Sequence, residues 1–177
     1  MFDHVSHKIN VHDNENRVKI VAFGSYHSGK TSFIKCMDPH PHLTEVNNHD
    51  GSTTVALDLG IREHKGYKLY FYGTPGQERF DVARDVVAFG IHAGIVVVDS
   101  TRGMTDFEKR MLSELKSSGV PCMVLANKQD LPGASLKKVK EDSSGFDRVL
   151  PFSSSTGQGV DLVLDSVIDL IKDIPKN

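Results

Sequence analysis

The chain has few cysteines and no long apolar segment. Its 177 residues include two cysteines, Cys36 and Cys122, whose separation fits no metal-binding pattern. Free thiols in a protein of this size fit a reducing cytosol. The apolar runs, such as that around residues 95–98, are too short to cross a bilayer. The free thiols and the short apolar runs lead us to expect a cytoplasmic protein. The net charge of −2 gives no general attraction to nucleic acid or anionic membranes, so we expect no direct nucleic-acid binding.

The two ends of the sequence carry no targeting or lipid-attachment signal. The first four residues, Met-Phe-Asp-His, include neither a basic region nor an apolar stretch, so we expect no signal peptide. No glycine follows Met1 for myristoylation, and the last four residues lack a prenylation cysteine. We therefore expect no lipid anchor, and any role at a membrane would need a partner.

Length and composition predict one globular domain preceded by a short arm. Residues 1–16 are polar and rich in His, Asn and Asp, which predicts a flexible arm. Residues 17–177 suit a single domain that buries its core without metal or disulfide staples.

Alternating strand and helix patterns predict a three-layer α/β domain with a mostly parallel sheet. The predicted strands cover residues 18–23, 55–63, 67–72, 91–99, 120–126 and 148–152. The predicted helices cover residues 31–37, 77–89, 107–116, 136–141 and 160–174. Residues 64–66 form a tight turn that makes an antiparallel hairpin. Residues 38–54 contain two prolines and many polar residues, and they are predicted to form a long loop.

A glycine-rich segment between the first strand and the first helix predicts a phosphate-binding loop. Residues 24–31 read Gly-Ser-Tyr-His-Ser-Gly-Lys-Thr. Successive backbone N–H groups in such a loop form an anion-binding nest, and the helix that follows adds its positive N-terminal partial charge. The residues predicted to hold the phosphates and their metal are Gly24, Tyr26, His27, Ser28, Gly29, Lys30, Thr31 and Ser32. Among them, Lys30 is expected to reach the β and γ oxygens, and Thr31 to bind Mg²⁺.

A second motif, at the end of a buried strand, predicts which base is bound. It reads Asn127-Lys128-Gln129-Asp130. The Asp130 carboxylate can accept hydrogen bonds from guanine N1–H and the 2-amino group, whereas adenine offers no such pair of donors and would leave Asp130 unpaired. Asn127 is expected to brace the loops, and Lys128 to lie along the base plane. The two motifs together predict that GTP and GDP are the ligands.

The order of these motifs resembles that of the small GTPases of the Ras-like superfamily, over residues 17–174. The matching segments are residues 24–31, Thr53-Thr54, Gly76-Gln77-Glu78, residues 127–130 and Ser153-Ser154-Ser155. Within the superfamily, residues 69–80 (Leu-Tyr-Phe-Tyr-Gly-Thr-Pro-Gly-Gln-Glu-Arg-Phe) resemble a prokaryotic branch that includes the bacterial gliding-motility polarity GTPases. The resemblance implies a P-loop NTPase domain whose six-stranded mixed sheet is flanked by about five helices.

The resemblance also implies roles for the switch and base loops. Thr54 matches the switch I threonine that closes on Mg²⁺ and the γ-phosphate, with Thr53 as the alternative one residue away. Gly76 N–H would meet the γ-phosphate, and Gln77 would orient the attacking water. In the base loop the implied residues are Ser153, Ser154 and Ser155, of which Ser154 N–H would meet guanine O6 and Ser155 replaces the usual lysine. The implied catalytic residues are Gln77, Lys30 and Thr54, and the implied metal ligands are Thr31 and Thr54.

Two positions depart from the family pattern. The family has an aspartate three residues before the switch II glycine, which holds Mg²⁺ through a water, but this chain has Gly73. The missing carboxylate predicts that Mg²⁺ binds more weakly or is held differently. The possible substitutes are Asp50, Asp58 and Asp99, and a structural role is favoured for Asp99. The bulky Tyr26 would either hinder an arginine finger supplied by a partner or sit aside.

Three functional hypotheses follow. The first is a regulatory switch that hydrolyses GTP slowly with Mg²⁺ and works with a protein effector and an activating or exchange protein. The second, suggested by Gly73, is a guanine-nucleotide-binding module with little or no hydrolysis. The third, an ATP-using P-loop kinase or ATPase, is disfavoured by residues 127–130 and by the lack of an arginine-dense lid segment.

Overall fold

A mixed β-sheet forms the middle layer of the protein. The structure is a computed structural model that describes residues 16–47, 54–74 and 89–173. Within these ranges the sheet has seven strands, which are β1 (Asn16–Phe23), β2 (His42–Asn47), β3 (Thr54–His64), β4 (Tyr67–Gly73), β5 (Ala93–Asp99), β6 (Cys122–Asn127) and β7 (Val149–Pro151).

Most neighbouring strands are parallel. Their order across the sheet is β2-β3-β4-β1-β5-β6-β7. β1 pairs in parallel with β4 and β5, and β6 continues the parallel part between β5 and β7. β3 is antiparallel to both β2 and β4. The β3–β4 hairpin closes through Lys65 and Gly66, whose positive φ angles of 47° and 79° suit the twist of a two-residue hairpin turn.

Helices cover both faces of the sheet. Within the described ranges they are α1 (Lys30–Met37), α2 (Asp106–Ser117), α3 (Leu136–Asp142) and α4 (Val160–Lys172). Successive strand residues face opposite sides. Ile20 therefore joins an apolar cluster with Phe33 of α1 and Val163 of α4, whereas Val21 joins a second cluster with Met111 of α2. These two clusters define three layers. None of these four helices has the length and apolar character needed to cross a membrane.

The predicted three-layer α/β fold is confirmed, with one strand more than predicted. The prediction of a continuous loop over residues 38–54 is wrong, because β2 lies within it. β2 is an edge strand that pairs on one side with β3, and its Leu43 is 76% exposed. An edge strand of this kind lacks the apolar alternation that reveals a core strand in the sequence.

The other predicted elements that the structure describes begin and end within two residues of their predicted limits. The helix predicted over residues 77–89 lies outside the described residues, except for Phe89, which belongs to a turn. The arm predicted over residues 1–16 also lies outside them, except for Asn16, which is the first residue of β1.

Candidate functional site

The predicted phosphate and base residues gather at one edge of the sheet. β1, β5 and β6 run in the same direction, so their carboxyl ends meet there. Gly24 directly follows β1, Asp99 ends β5, and Asn127 ends β6. Ligands of open α/β sheets bind in the crevice at the carboxyl ends of the strands.

The loop over residues 24–31 turns tightly between β1 and α1, and glycine is required at both ends of it. Gly29 has a φ of 103°, which favours glycine, and a Cβ there would collide with Nδ2 of Asn127. A Cβ on Gly24 would collide with the carbonyl oxygen of Val97. The two glycines therefore let the loop lie directly against the ends of β5 and β6.

Lys30 folds back over this loop. It is the first residue of α1, it is 9% exposed, and its Nζ donates to the carbonyl oxygens of Gly24 at 2.6 Å and Ser25 at 2.9 Å. The ammonium group is thus positioned at the loop itself. Thr31 and Ser32, the next two residues, are exposed.

The exposed rim of the loop carries two aromatic rings. Tyr26 is 61% exposed, and its ring centroid lies 3.8 Å from that of His27 at an interplanar angle of 57°. His27 has a positive φ of 64°. A partner that approached the loop from solvent would meet the Tyr26 ring.

Thr31 contacts a carboxylate from the sheet. Its Oγ1 donates to Oδ2 of Asp58 at 2.6 Å, and Asp58 lies on β3. Gly73, which stands where the resemblance expects the metal-site aspartate, ends β4 beside it. A Cβ on Gly73 would lie 3.5 Å from the Cβ of Asp58. The two positions therefore face the same small region next to Thr31.

Asn127 joins the phosphate loop to the base loop. It is fully buried, and its Nδ2 donates to the carbonyl oxygen of Ser28 at 3.0 Å and to Oγ of Ser154 at 3.2 Å. Its Oδ1 accepts from the Ser154 N–H at 3.0 Å. This N–H, which the resemblance assigns to guanine O6, is thus already engaged, and a bound guanine would have to share it with Asn127.

Asp130 is exposed and held by two serines. Its Oδ1 accepts from Oγ of Ser153 at 2.6 Å, and its Oδ2 accepts from Oγ of Ser155 at 2.7 Å. The hydrogen bond from Ser153, followed by that from Ser155, holds the pKa of Asp130 below its ordinary value. Each carboxylate oxygen retains another lone pair, so Asp130 can still accept two donors from a ligand. The sequence motif did not reveal that Ser153 and Ser155 orient this carboxylate.

Lys128 forms an ion pair with the end of β5. Its Nζ lies 2.7 Å from Oδ2 of Asp99, whose Oδ1 accepts from the N–H and Oγ1 of Thr101 at 3.0 and 2.6 Å. Burial raises the pKa of Asp99, but the hydrogen bonds from Lys128 and Thr101 outweigh it, and the pKa lies below its ordinary value. This geometry agrees with the structural role expected of Asp99.

One contact that the motifs did not predict joins the phosphate loop to α2. Glu108 is 1% exposed, and its Oε1 accepts from the N–H of Ser25 at 3.1 Å and from Oγ of Ser25 at 2.7 Å. Its Oε2 accepts from the N–H of Thr105 at 2.8 Å, which completes a capping box at the start of α2. The Thr-x-x-Glu pattern of the cap is visible in the sequence, but the reach of Glu108 to Ser25 depends on tertiary packing.

The switch residues lie largely outside the described residues. Thr54 is the first residue of β3 and pairs with Asn47 in the strand register, but the position of its side chain is not described. Thr53, Gly76 and Gln77 lie outside the described residues. Their roles therefore stay predictions, and so does the choice between Thr53 and Thr54.

A glycine-rich loop between β1 and α1, with a lysine folded over it and an Asn-Lys-x-Asp segment at the end of β6, defines a P-loop GTPase domain. The chain belongs to the family of the elongation factor Tu GTP binding domain, whose model matches residues 15–173. The match shows a GTP-binding domain of the elongation-factor type, and it does not show the Ras-like branch that the motif order suggested.

Similar proteins cover most of the chain. An uncharacterized protein of Methanocaldococcus jannaschii, MJ1339, is 32% identical over 117 residues, which are 66% of this chain and 73% of that protein. Translation initiation factor IF-2 of Clostridioides difficile is 28% identical over 159 residues, which are 84% of this chain but 24% of the factor. The chain thus spans about a quarter of the initiation factor's length.

Solved structures show the same fold. Translation elongation factor SelB of Methanococcus maripaludis, in complex with the GTP analogue GppNHp, has a TM-score of 0.67 at 20% identity. The match covers 92% of this chain and 35% of SelB. The G domain of the T. maritima FeoB iron transporter has a TM-score of 0.69 at 20% identity, with 87% of this chain and 98% of that domain covered.

Proposed function

We propose that this protein is a guanine-nucleotide switch that binds GTP and GDP and hydrolyses GTP slowly with Mg²⁺. The observation that carries the proposal is the hydrogen-bonded link through Asn127 between Ser28 of the phosphate loop and Ser154 of the base loop. This link fixes the phosphate loop and the base loop relative to each other. At the base end, the orientation of Asp130 by two serines supports selection of guanine.

The chain's own residues supply most of what GTP hydrolysis needs. The loop N–H groups and the Lys30 ammonium group bind the phosphates and offset their charge. The Thr31 hydroxyl, with the carboxylate of Asp58 beside it, fits a magnesium site, and Thr54 is its proposed second protein ligand. A magnesium ion held there would supply positive charge to offset that of the phosphates. Gln77 orients the attacking water in this proposal.

Turnover is expected to be slow without a partner. A positioned glutamine gives modest acceleration unless an arginine stabilises the transferring phosphoryl group. Because Tyr26 is exposed at the rim of the loop, an activating protein has to place its group past this ring. We therefore propose that the protein works with an effector and with an activating or exchange protein.

The kind of pathway is proposed from residues 69–80, which resemble the polarity GTPases of gliding bacteria. We infer a cytoplasmic signalling switch of a prokaryotic type. The translation factors share their GTP-binding part with this chain, but we propose no direct binding of RNA, because the net charge of −2 gives no general attraction to nucleic acid.

Competition binding tests whether guanine nucleotides are the ligands. A fluorescent GDP analogue bound to the protein is titrated with GTP, GDP and ATP, with and without Mg²⁺. We expect GTP and GDP to displace it in the micromolar range or below, and ATP to require a concentration at least about a hundredfold higher. Equal displacement by ATP would contradict the proposal and favour an ATP-using enzyme.

Single-turnover hydrolysis separates the switch from a binding module, the alternative that Gly73 favours. Wild type is expected to release phosphate over minutes to hours at saturating Mg²⁺, and Gln77→Ala to be slower with unchanged GTP affinity. Tight binding without any phosphate release by wild type would support the binding module instead.

A further inference from the structure

We propose that Asp58 replaces the carboxylate missing at Gly73 and serves as the acidic group of the magnesium site. This inference rests on the proposed function, because it assigns a residue to the same nucleotide site. It departs from the family pattern, in which this carboxylate lies on the strand that leads into switch II. In this chain the carboxylate comes from β3, the neighbouring strand.

The first observation is the hydrogen bond between Thr31 and Asp58. The Thr31 hydroxyl has one hydrogen and two lone pairs. It donates this hydrogen to Oδ2 of Asp58, and the two oxygens lie 2.6 Å apart. Its lone pairs are therefore directed elsewhere and can ligate a cation. A carboxylate that orients a ligand in this way raises the affinity of the site, although it need not touch the metal.

The second observation is the relation between Asp58 and Gly73. β3 and β4 are antiparallel, and Leu59 pairs with Tyr72, so Asp58 and Gly73 are the next positions along the two strands. A Cβ on Gly73 would lie 3.5 Å from the Cβ of Asp58 and 3.5 Å from Cγ1 of Ile34. Side chains at the two positions would thus enter the same region, and the glycine leaves that region to Asp58.

The other candidate carboxylates are used elsewhere or lie outside the described residues. Asp99 binds Lys128 and Thr101. Asp38, at the end of α1, accepts from the N–H groups of Ile61 and His40, each at 2.9 Å. Asp50 lies outside the described residues. In the part of the chain that the structure describes, no group of three or more His, Cys, Asp or Glu side chains can hold a metal. This agrees with a site built from hydroxyls, phosphate oxygens and one carboxylate.

The test measures how Mg²⁺ slows the release of a fluorescent GDP analogue from the full chain. The Mg²⁺ concentration that gives half of the slowing is compared between wild type and Asp58→Asn. The substitution keeps an acceptor for Thr31 but removes the charge. We expect the midpoint to rise about 10- to 100-fold, whereas the release rate in EDTA stays close to that of wild type. Glu63→Gln, an exposed carboxylate on the same strand, is the control and should leave the midpoint unchanged.

A rescue variant tests the positional part of the inference. Gly73 is outside the positive-φ region, and an added Cβ there makes ordinary contacts, so aspartate fits this position. Asp58→Asn combined with Gly73→Asp should bring the Mg²⁺ midpoint back toward that of wild type, and thermal unfolding with GDP checks that both variants fold.

The outcomes separate the inference from the proposed function. Failure of wild type to bind the GDP analogue, with or without Mg²⁺, would overturn the proposed function and the inference with it. Normal binding with the same Mg²⁺ midpoint in Asp58→Asn would overturn the inference alone. Loss of Mg²⁺ sensitivity in Asp58→Asn without restoration by Gly73→Asp would overturn the equivalence of the two positions.

Discussion

The base end of the site and its proposed metal end are built in different ways. At the base end, a buried asparagine uses its whole amide group, and two serines hold the exposed carboxylate of Asp130. At the metal end, a single hydrogen bond joins the exposed Thr31 to Asp58. The base end is thus organised by the protein alone, whereas the metal end depends on what the ligand adds. From this difference we expect the protein's own contacts to set nucleotide choice, and the bound ligand to complete the proposed metal site.

The largest expected effect is a change in nucleotide selectivity at the base end, caused by Asp130→Asn. The amide cannot accept from both guanine donors, but it can donate to the 2-oxo group of xanthine. We expect the ratio of GTP to xanthosine triphosphate affinity to change by a factor on the order of 10⁴, measured by competition against the fluorescent GDP analogue. Ser155→Ala, which removes one of the two orienting hydrogen bonds but keeps the carboxylate, should change this ratio far less than Asp130→Asn does. Unchanged selectivity in Asp130→Asn would refute the assignment of Asp130 to the base.

The next largest effect, on GDP affinity and thermal stability, is expected from Asn127→Ala, because Asn127 links the phosphate loop to the base loop. The variant leaves the carbonyl of Ser28 and the N–H of Ser154 without their partner. The cost is about 1–3 kcal/mol for the buried Ser28 and smaller for the half-buried Ser154. GDP affinity and the thermal midpoint should both fall, as measured by titration and by calorimetry. Lys109→Ala, on the exposed face of α2, serves as the control. If Asn127→Ala kept the stability and GDP affinity of wild type, the phosphate loop and the base loop would be organised independently.

A smaller effect is expected at the phosphate loop from Glu108→Gln. The amide can accept from Ser25 or from Thr105, but its NH₂ group then faces the other donors. The loss of charge-assisted hydrogen bonds should lower the free energy of unfolding by about 1.5–3 kcal/mol in urea titrations. GDP affinity should fall as well, whereas GTP-over-ATP selectivity should not, because the base end is intact. Unchanged stability would mean that the hydrogen bonds of Glu108 to Ser25 and Thr105 do not stabilise the fold.

The smallest expected effect is a pH-dependent loss of stability when Asp99→Asn removes the ion pair between Asp99 and Lys128. The folded-state pKa of Asp99 is below its ordinary value of 3.8, so its contribution to stability is present above that value and is lost as the pH falls through the folded-state pKa. We expect Asp99→Asn to be less stable than wild type at pH 7, with the gap closing below about pH 4. Urea unfolding between pH 3 and pH 7 measures the gap. A gap that stayed constant with pH would show that the charge of Asp99 does not stabilise the fold.

Local patterns in the sequence predicted the elements that build the site. The phosphate loop was visible because its glycines and lysine stand at fixed spacing between a strand and a helix, and the segment from Asn127 to Asp130 was visible because it ends an apolar strand. The strand β2 was missed, because an edge strand has little burial to impose a pattern.

Contacts between distant segments were not predictable from these patterns. Glu108 and Ser25 are far apart in the sequence, and their contact arises from the packing of α2 against the sheet. Asp58 could be named as one of three candidates, but selecting it required the register between β3 and β4. The family label was also finer than the motifs allowed, because the same loops serve both the Ras-like and the elongation-factor GTPases.

The carboxylate of Glu108 serves two elements at once, and this constrains how the protein can diverge. Each of its oxygens is committed, one to Ser25 and the other to Thr105. Substitution of Glu108 leaves the N–H groups of Ser25 and Thr105 without this acceptor, and loss of the hydroxyl at position 25 or 105 removes a hydrogen bond from the buried carboxylate. In an alignment of close relatives, positions 25, 105 and 108 should therefore covary as a triplet, and a designer who transplants this phosphate loop into another scaffold would need to move the start of α2 with it.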